Sequence, residues 1–473
     1  MSINRRQLTG ISVGLALGAA GRAGAATSAP AGANAPSRPP SSLDGVWEMD
    51  GYATVLRIEG DTLDTYHRTR ANCVRQPYPA ARLNGPDAAG VTRYGSALGT
   101  FVLTPGPTRE RAVLRVEGSV GVRGLRRRRQ LPRAARVPTP GDALTTFDIF
   151  WDTFAENYPF FAAKGIDWRD ERSYYRPQVH VKTTDDALFA LLEEMIRPLH
   201  DAHTKLRWGE HEYTGSRPGT RDPDEKFEAG TRRFVDTRDL KRPPTSLAND
   251  RISYADLPGG LGYLRVSGFS GYTPTRTDFA QESAALDQAL RSVFTAANTG
   301  VGGAWRGLIV DIRVNHGGKD ALGLQLASWL TCTSYLAYTK QARNDPNEPT
   351  RYTDPQPIDV VPADGPVYTG PVALLTSGAS RSAAETFAQA LVARPRTTRI
   401  GENTQGIFSD VMGCQLPDGL IFGLPNEIYL TAANTTFDGA GIPPDIRMPV
   451  FTREEFHRGR DSAFDEAVRL LGR

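Results

Sequence analysis

Residues Pro371 to Glu385 read Pro-Val-Ala-Leu-Leu-Thr-Ser-Gly-Ala-Ser-Arg-Ser-Ala-Ala-Glu. A buried apolar strand runs into a turn of small residues, and a helix opens at Ser382. A serine there lies beyond the carboxyl end of a strand, where α/β folds place ligands. The helix start offers free N–H groups and a positive dipole to a developing oxyanion. Such an arrangement suits nucleophilic attack by a hydroxyl. The Gly-x-Ser-x-Gly pattern is absent, and a plain helix N-cap is the alternative role for Ser382. Ser377 and Ser380 stand close enough to compete with it.

A second stretch, Asp311-Ile312-Arg313-Val314-Asn315-His316-Gly317-Gly318, follows another apolar strand. Adjacent glycines let the backbone approach a substrate and aim an N–H at it. His316, beside them, is a candidate substrate contact. A hydroxyl nucleophile also needs a base poised near neutral pH, and histidine suits that task. The segment His200-Asp201-Ala202-His203-Thr204 supplies two. Their spacing on a helix would also fit a metal. His-Glu-x-x-His is absent and no acidic third ligand is evident, so neither a metal nor a cofactor is expected.

These stations, taken in order, resemble the C-terminal-processing and tricorn-type serine peptidase family over residues 144–450. They are Leu199 to Thr204, Asp311 to Gly318, Ser382-Ala383-Ala384-Glu385, and the tail Gly439-Ala440-Gly441-Ile442-Pro443-Pro444-Asp445-Ile446. The stretch from Phe150-Trp151 to Asp167-Trp168 resembles the family's helical cap. One branch of the family pairs its serine with a lysine in a Thr-x-Gly-Lys-Gly segment. Here that segment is Thr404-Gln405-Gly406-Ile407-Phe408, and no lysine follows Lys340. The resemblance therefore implies the tricorn-like branch, with Ser382 as nucleophile and His203 as general base. It implies Asp438 as the orienting acid, with Glu385 and Glu402 as alternatives. Oxyanion donors would be the N–H of Gly317 or Gly318 and that of Ala383. Asp445 is expected to brace the tail turn, and His200 to be structural.

The elements that must position these groups can be read from the chain. Residues 1–25 carry Arg5-Arg6, a mild apolar stretch and Ala23-Gly24-Ala25, the pattern of a twin-arginine-like export signal. Residues 26–42 read as a flexible leader. Short β-prone runs over 43–133 predict a small all-β domain, sandwich or barrel, ending in a cluster of seven arginines between Arg123 and Arg136. Residues 142–206 predict a helical cap, from Phe147, Phe150, Trp151, Phe154 and Tyr158 at helical spacing and a second helix from Thr184. Residues 207–257 show no clean periodicity and read as an insert or linker. From 258 to 455 strands and helices alternate, which predicts an α/β core with buried, largely parallel strands. A C-terminal helix is expected over 456–473. The resemblance implies a layered β-α core of the ClpP/crotonase type.

Composition narrows the function further. The 473 residues carry 56 basic and 53 acidic side chains. The excess of three lies in the arginines of residues 1–25. No field toward nucleic acid is implied, and no apolar run is long enough for a membrane span. Three cysteines exclude a disulfide-dense scaffold. A Cys332–Cys414 bridge is left open. The reading is an exported, periplasmic or extracellular serine peptidase acting on peptides or protein tails through an acyl-enzyme. Its alternative is a catalytically silent member of the fold that binds a peptide or a small hydrophobic ligand.

Overall fold

The computed structural model describes residues 43–220, 222–275, 278–300 and 302–472. The export-signal and leader readings lie outside these residues.

The first unit is built from β1 (Gly45–Met49), β2 (Thr54–Glu59), β3 (Thr62–Arg68), β4 (Cys73–Arg75), β5 (Ala80–Asn84), β6 (Thr92–Ser96), β7 (Gly99–Pro105), β8 (Arg111–Val116) and β9 (Arg123–Arg128). The strands pair in the order β2-β1-β9-β8-β7-β6-β5-β3-β4, and a further β2–β3 pairing closes the ring. The result is an antiparallel barrel with β4 appended to β3. Alternation fixes its inner wall: Ala112, Leu114 and Val116 of β8 turn inward, while Arg111 and Arg115 turn out. Trp47, Ile58, Leu63, Tyr94 and Leu103 fill the interior. Closure removes the exposed strand edges that an open sheet would leave.

Four helices follow: α1 (Ala143–Asn157), α2 (Phe161–Lys164), α3 (Trp168–Tyr175) and α4 (Asp185–Ile196). Asp142, Asp167 and Thr184 cap α1, α3 and α4 through their side-chain oxygens. The aromatic positions pack as core, with Phe150 and Phe154 ring centroids 4.7 Å apart. A short 3-10 turn ends at Leu199, and His200 leaves it with φ +49°. His200 and His203 therefore share no helical face. Among the described residues no cluster of three or more metal-ligating side chains occurs.

The interval 207–257 is more ordered than its composition suggests. It holds the second half of β10 (Lys205–Trp208), then β11 (His211–Thr214), α5 (Glu225–Arg238), β12 (Thr245–Leu247) and β13 (Ile252–Leu257). The helix α5 escapes a periodicity reading because it buries only Thr231 and Val235. β13 belongs to the main sheet, paired antiparallel with β14 (Leu261–Val266).

The core continues with α6 (Phe279–Val293), α7 (Ala296–Thr299), β15 (Gly307–Asp311), α8 (Asp320–Ser328), β16 (Tyr335–Ala342), β17 (Gln356–Val360), β18 (Val372–Thr376), α9 (Ala383–Ala393) and β19 (Thr397–Gly401). It ends with β20 (Val411–Gln415), β21 (Ile421–Pro425), β22 (Glu427–Leu430), β23 (Ile446–Arg447), α10 (Arg453–Arg458) and α11 (Ser462–Leu471). The C-terminal helix is thus two helices, separated at Gly459 with φ +59°. The main sheet runs β12-β13-β14-β15-β18-β19-β23 and is parallel from β14 onward. Its two faces are both covered. Leu308, Val310, Val372 and Leu374 meet α6, α8 and α9, while Ile309, Ala373 and Leu375 meet α5, α10 and α11. Two smaller sheets, β11-β10-β21-β20 and β17-β16-β22, complete the fold.

The barrel docks on this core through buried polar groups. Lys340 is 2% exposed, and its Nζ reaches the Val120 carbonyl at 3.0 Å, Glu427 Oε1 at 3.0 Å and Asp410 Oδ2 at 3.4 Å. Tyr52 donates to Glu427 Oε1 at 2.6 Å. Deeper in the core, buried Arg313 is held by Asp311 at 2.7 Å and by Asp461, just before α11, at 2.6 Å. Cys332 is exposed, Cys414 is buried in the cap core, and each is a free thiol, so the bridge left open above does not form.

Candidate active site

The strands β15 and β18 lie side by side and parallel, so the segments after them meet at one end of the sheet. The segment after β18 makes a tight turn. Ser380 donates its hydroxyl to the Ile312 carbonyl at 2.7 Å, and Ser377 donates to the Arg313 carbonyl at 2.6 Å. Both rival serines are thereby spent on fastening one turn to the other. Ser382 is different: its backbone sits at φ +57°, ψ −123°, a region that non-glycine residues occupy only under strain. Its N–H donates to Glu385 Oε2 at 3.1 Å.

The glycines after β15 press against this serine. A Cβ on Gly317 would lie 2.7 Å from Ser382 Cβ and 2.6 Å from the Arg381 carbonyl. A Cβ on Gly318 would lie 2.2 Å from the Phe269 carbonyl oxygen. Both also have positive φ, +79° and +142°. Only glycine fits either position. The two N–H groups differ in use. Gly317 donates to Asn315 Oδ1 at 2.9 Å. Among the described residues, neither the Gly318 N–H nor the Ala383 N–H at the start of α9 is spent on a protein acceptor. Asn315, which the sequence reading passed over, anchors the turn. Its Nδ2 donates to the Val266 carbonyl at 2.9 Å, and its own carbonyl accepts the Arg381 N–H at 3.1 Å.

Glu385 is fully buried, and its carboxylate gathers backbone N–H groups from two segments. Besides Ser382 it accepts from Gly406 at 2.6 Å and Ile407 at 2.8 Å. Burial pushes it up to about 7 against that set of donors. It ties the Thr404-Gln405-Gly406 loop to the serine turn.

His203 is 4% exposed, and its Nδ1 is buried with no partner. Its N–H is fixed by Asp201 Oδ1 at 2.9 Å. Burial, with Lys205 and Arg381 adding positive charge nearby, lowers it to about 3, while Asp410 and the Ser409 backbone pull the other way. Arg381, the residue before Ser382, is thus one of the charges that act on the imidazole. Asp438 makes no hydrogen bond to this imidazole. Its Oδ1 accepts from the Phe408 N–H at 3.2 Å and its Oδ2 from the Thr436 hydroxyl at 2.8 Å. Burial pushes it up to about 8, and the like charges of Asp201 and Glu385 add to that. Glu402 is also apart from His203, with Oε1 on the Val450 N–H at 3.4 Å. The carboxylate whose charge favours the protonated ring is Asp410. No pattern marked it, because it comes close only through the fold.

His316 bridges two other groups beside the serine turn. Its Nε2 lies 2.6 Å from Glu228 Oε1 on α5, and its Nδ1 lies 2.6 Å from Arg381 Nη2. Arg381 also pairs with Asp222 at 2.7 Å. Glu228 and Asp222 both come from the interval read as a linker. In the tail, Asp445 holds the Arg399 N–H at 2.8 Å and its guanidinium, a bracing contact.

Known proteins resemble this chain in these same segments. Residues 260–448 match the model of peptidase family S41, and residues 143–197 match the tricorn protease C1 domain. The chloroplastic C-terminal processing peptidase of Tetradesmus obliquus is 28% identical over 216 residues. Carboxyl-terminal-processing peptidase 2, chloroplastic, of Arabidopsis thaliana is 25% identical over 211 residues. The matches cover 44% and 43% of this chain, and only 40% and 37% of those relatives. A solved protein of Parabacteroides merdae superimposes with a TM-score of 0.58 at 24% identity, over 70% of this chain and 97% of its own. That likeness concerns the fold. The chain thus carries a peptidase family S41 segment that spans the serine turn, the paired glycines and the tail, with a tricorn-type C1 segment before it.

Proposed function

We propose that the chain is an exported serine peptidase that hydrolyses peptide bonds through an acyl-enzyme. The observation that carries this reading is the strained backbone of Ser382, packed against Gly317 and followed by the unspent N–H of Ala383. Strain of that kind persists only where the surroundings impose it, and here they do so at the one serine of the turn not fastened to a carbonyl. In this reading Ser382 Oγ attacks the scissile carbonyl and His203 takes its proton. The N–H groups of Gly318 and Ala383 receive the oxyanion, a contribution of about 10²–10³ in rate for each such donor. The imidazolium then protonates the leaving amine, and water releases the acyl group by the same route. His203 is neutral at pH 7, the form that can accept the proton, but burial leaves it a weaker base than this role asks for, so the imidazolium must draw on Asp410 and on the oxyanion as it forms. Gly317 and Asp438 serve as supports, one holding Asn315 and the other Phe408. Export is supported by the Arg5-Arg6 pattern of the N-terminal residues. Substrates are peptides or protein tails, the class implied by the family.

A second reading, a silent member of the fold that binds a ligand, is favoured by the unpartnered Nδ1 of His203. Labelling with a serine-directed phosphonate separates the two. The expected result is one adduct on Ser382, lost in Ser382→Ala and strongly slowed in His203→Ala. Labelling unchanged in Ser382→Ala overturns the nucleophile assignment. No labelling and no turnover, with tight peptide binding, overturns the peptidase reading.

A further inference from the structure

The barrel encloses space that its own side chains do not fill. A cavity of about 150 Å³ lies at one end of it. Its wall comes from the end of β1, the start of β2, the ends of β3 and β8, the β6–β7 turn and the start of β9, all at the same end of the ring. The strand β20 of the peptidase core, from Val411 to Gln415, and the neighbouring Asn426 close that end. Small barrels of this strand number have room for one small ligand. A volume of this size in an apolar wall holds a single aromatic ring. Left empty, it is a standing cost to stability.

The wall is apolar and aromatic, with Leu56, Phe101, Leu114 and Val116 among its members. Two wall residues carry buried polar atoms with no partner. They are Thr65 Oγ1, in a residue 9% exposed, and Asn426 Nδ2, in a residue 1% exposed. One is a hydroxyl and the other an amide donor, and both can serve an acceptor oxygen. The charges at the cavity are already matched. Arg123 lies 3.6 Å from Asp410 and 4.2 Å from the Tyr52 ring centroid. His67 is occupied by the Thr153 hydroxyl at 2.9 Å. A charged ligand would find no free counter-charge there.

We propose that the junction of barrel and core is a binding site for a small, neutral, single-ring aromatic molecule carrying one acceptor oxygen. Its ring fills the apolar wall and its oxygen accepts from the Thr65 hydroxyl. The site is separate from the serine turn, and the proposal does not rest on peptidase activity.

The test is calorimetric titration of the full chain with acetophenone, and with toluene as the same ring without the oxygen. Both should bind saturably at one site, acetophenone roughly fivefold more tightly, the value of one net hydrogen bond. Leu98→Trp in the β6–β7 turn should abolish binding of both. Thr65→Val should keep toluene binding and erase the preference for acetophenone. The Ser382→Ala variant should bind as the parent does, so this outcome is read whether or not the chain cleaves peptides. Three results would overturn the proposal: neither probe saturating a site, binding unchanged in a folded Leu98→Trp variant, or the preference surviving in Thr65→Val. Water alone filling the cavity corresponds to the first.

Discussion

The carboxylate of Glu385 binds the N–H of Ser382 at 3.1 Å and, through the same Oε2 atom, that of Ile407 at 2.8 Å. One buried side chain thus sets the distance between the serine turn and the loop that leads to Asp410. Glu385→Ala would leave three buried N–H groups without acceptors. At about 1–3 kcal/mol for each unsatisfied group, partly relieved by water entering the gap, the expected loss is about 3–5 kcal/mol. Urea unfolding measures it. A loss under 1 kcal/mol would show that the clamp is dispensable.

Two buried histidines predict acid sensitivity. Burial lowers His203 to about 3 and His67 to about 4, from an ordinary value of 6.5. Between pH 6.5 and about 4 the unfolded chain therefore binds more protons than the folded one. Stability is complete above pH 6.5 and falls as pH drops through this window, by about 1.4 kcal/mol per pH unit for each histidine. The double variant His67→Gln, His203→Gln should show a visibly shallower decline in its urea midpoint over the same range. Parallel slopes for parent and variant would refute the assignment.

The acid members of the site should be unequal. His203→Ala is expected to slow phosphonate labelling of Ser382 by about 10²–10⁴, the span of general base catalysis. Asp438 spends its oxygens on Phe408 and Thr436, so Asp438→Asn should slow labelling by less than about tenfold. Equal losses in the two variants would instead mean that Asp438 reaches the imidazole during the reaction.

Strain at the nucleophile has a thermodynamic signature. A non-glycine residue at φ +57°, ψ −123° stores about 1–3 kcal/mol. Ser382→Gly releases it and returns about 0.4–1 kcal/mol through the freer unfolded chain. Ser382→Gly should therefore be about 1 kcal/mol more stable than Ser382→Ala, which keeps the strain. Thermal unfolding of the two inactive variants decides the point, and equal midpoints would mean that the backbone relaxes once the hydroxyl is gone.

What the chain discloses by itself depends on how local the cause is. The strands at Leu261, Gly307 and Val372 are near-continuous apolar runs because both faces of the main sheet are covered. The turn before α9 is legible from its small residues. The torsion of Ser382 is not, since it follows from Gly317 pressing on it from another strand. The helix α5 hides because a helix that buries two residues leaves no stripe. His200 and His203 look like helix neighbours until Pro198 and the positive φ of His200 break the helix between them and α4. Asp410 is invisible in any motif, because its neighbours Ser119, Arg123 and Lys340 come from two distant segments. The barrel strands were readable one by one, and β2–β3 is a plain hairpin, but the β1–β9 pairing that sets Trp47 against Arg127 is a matter of curvature.

Arg313 sits between the strand that carries the paired glycines and the helix α11, and its second counter-ion, Asp461, lies 148 positions downstream. The barrel strands all lie between Gly45 and Arg128, so their partners, including β9 for β1, come from that one stretch of chain. The guanidinium has no such option. Asp311 already balances its charge, but until Asp461 arrives the Nη1 donors of Arg313 lack their carboxylate. The finished state of the serine turn is therefore tied to the last helix of the chain, through the carboxylate that precedes α11.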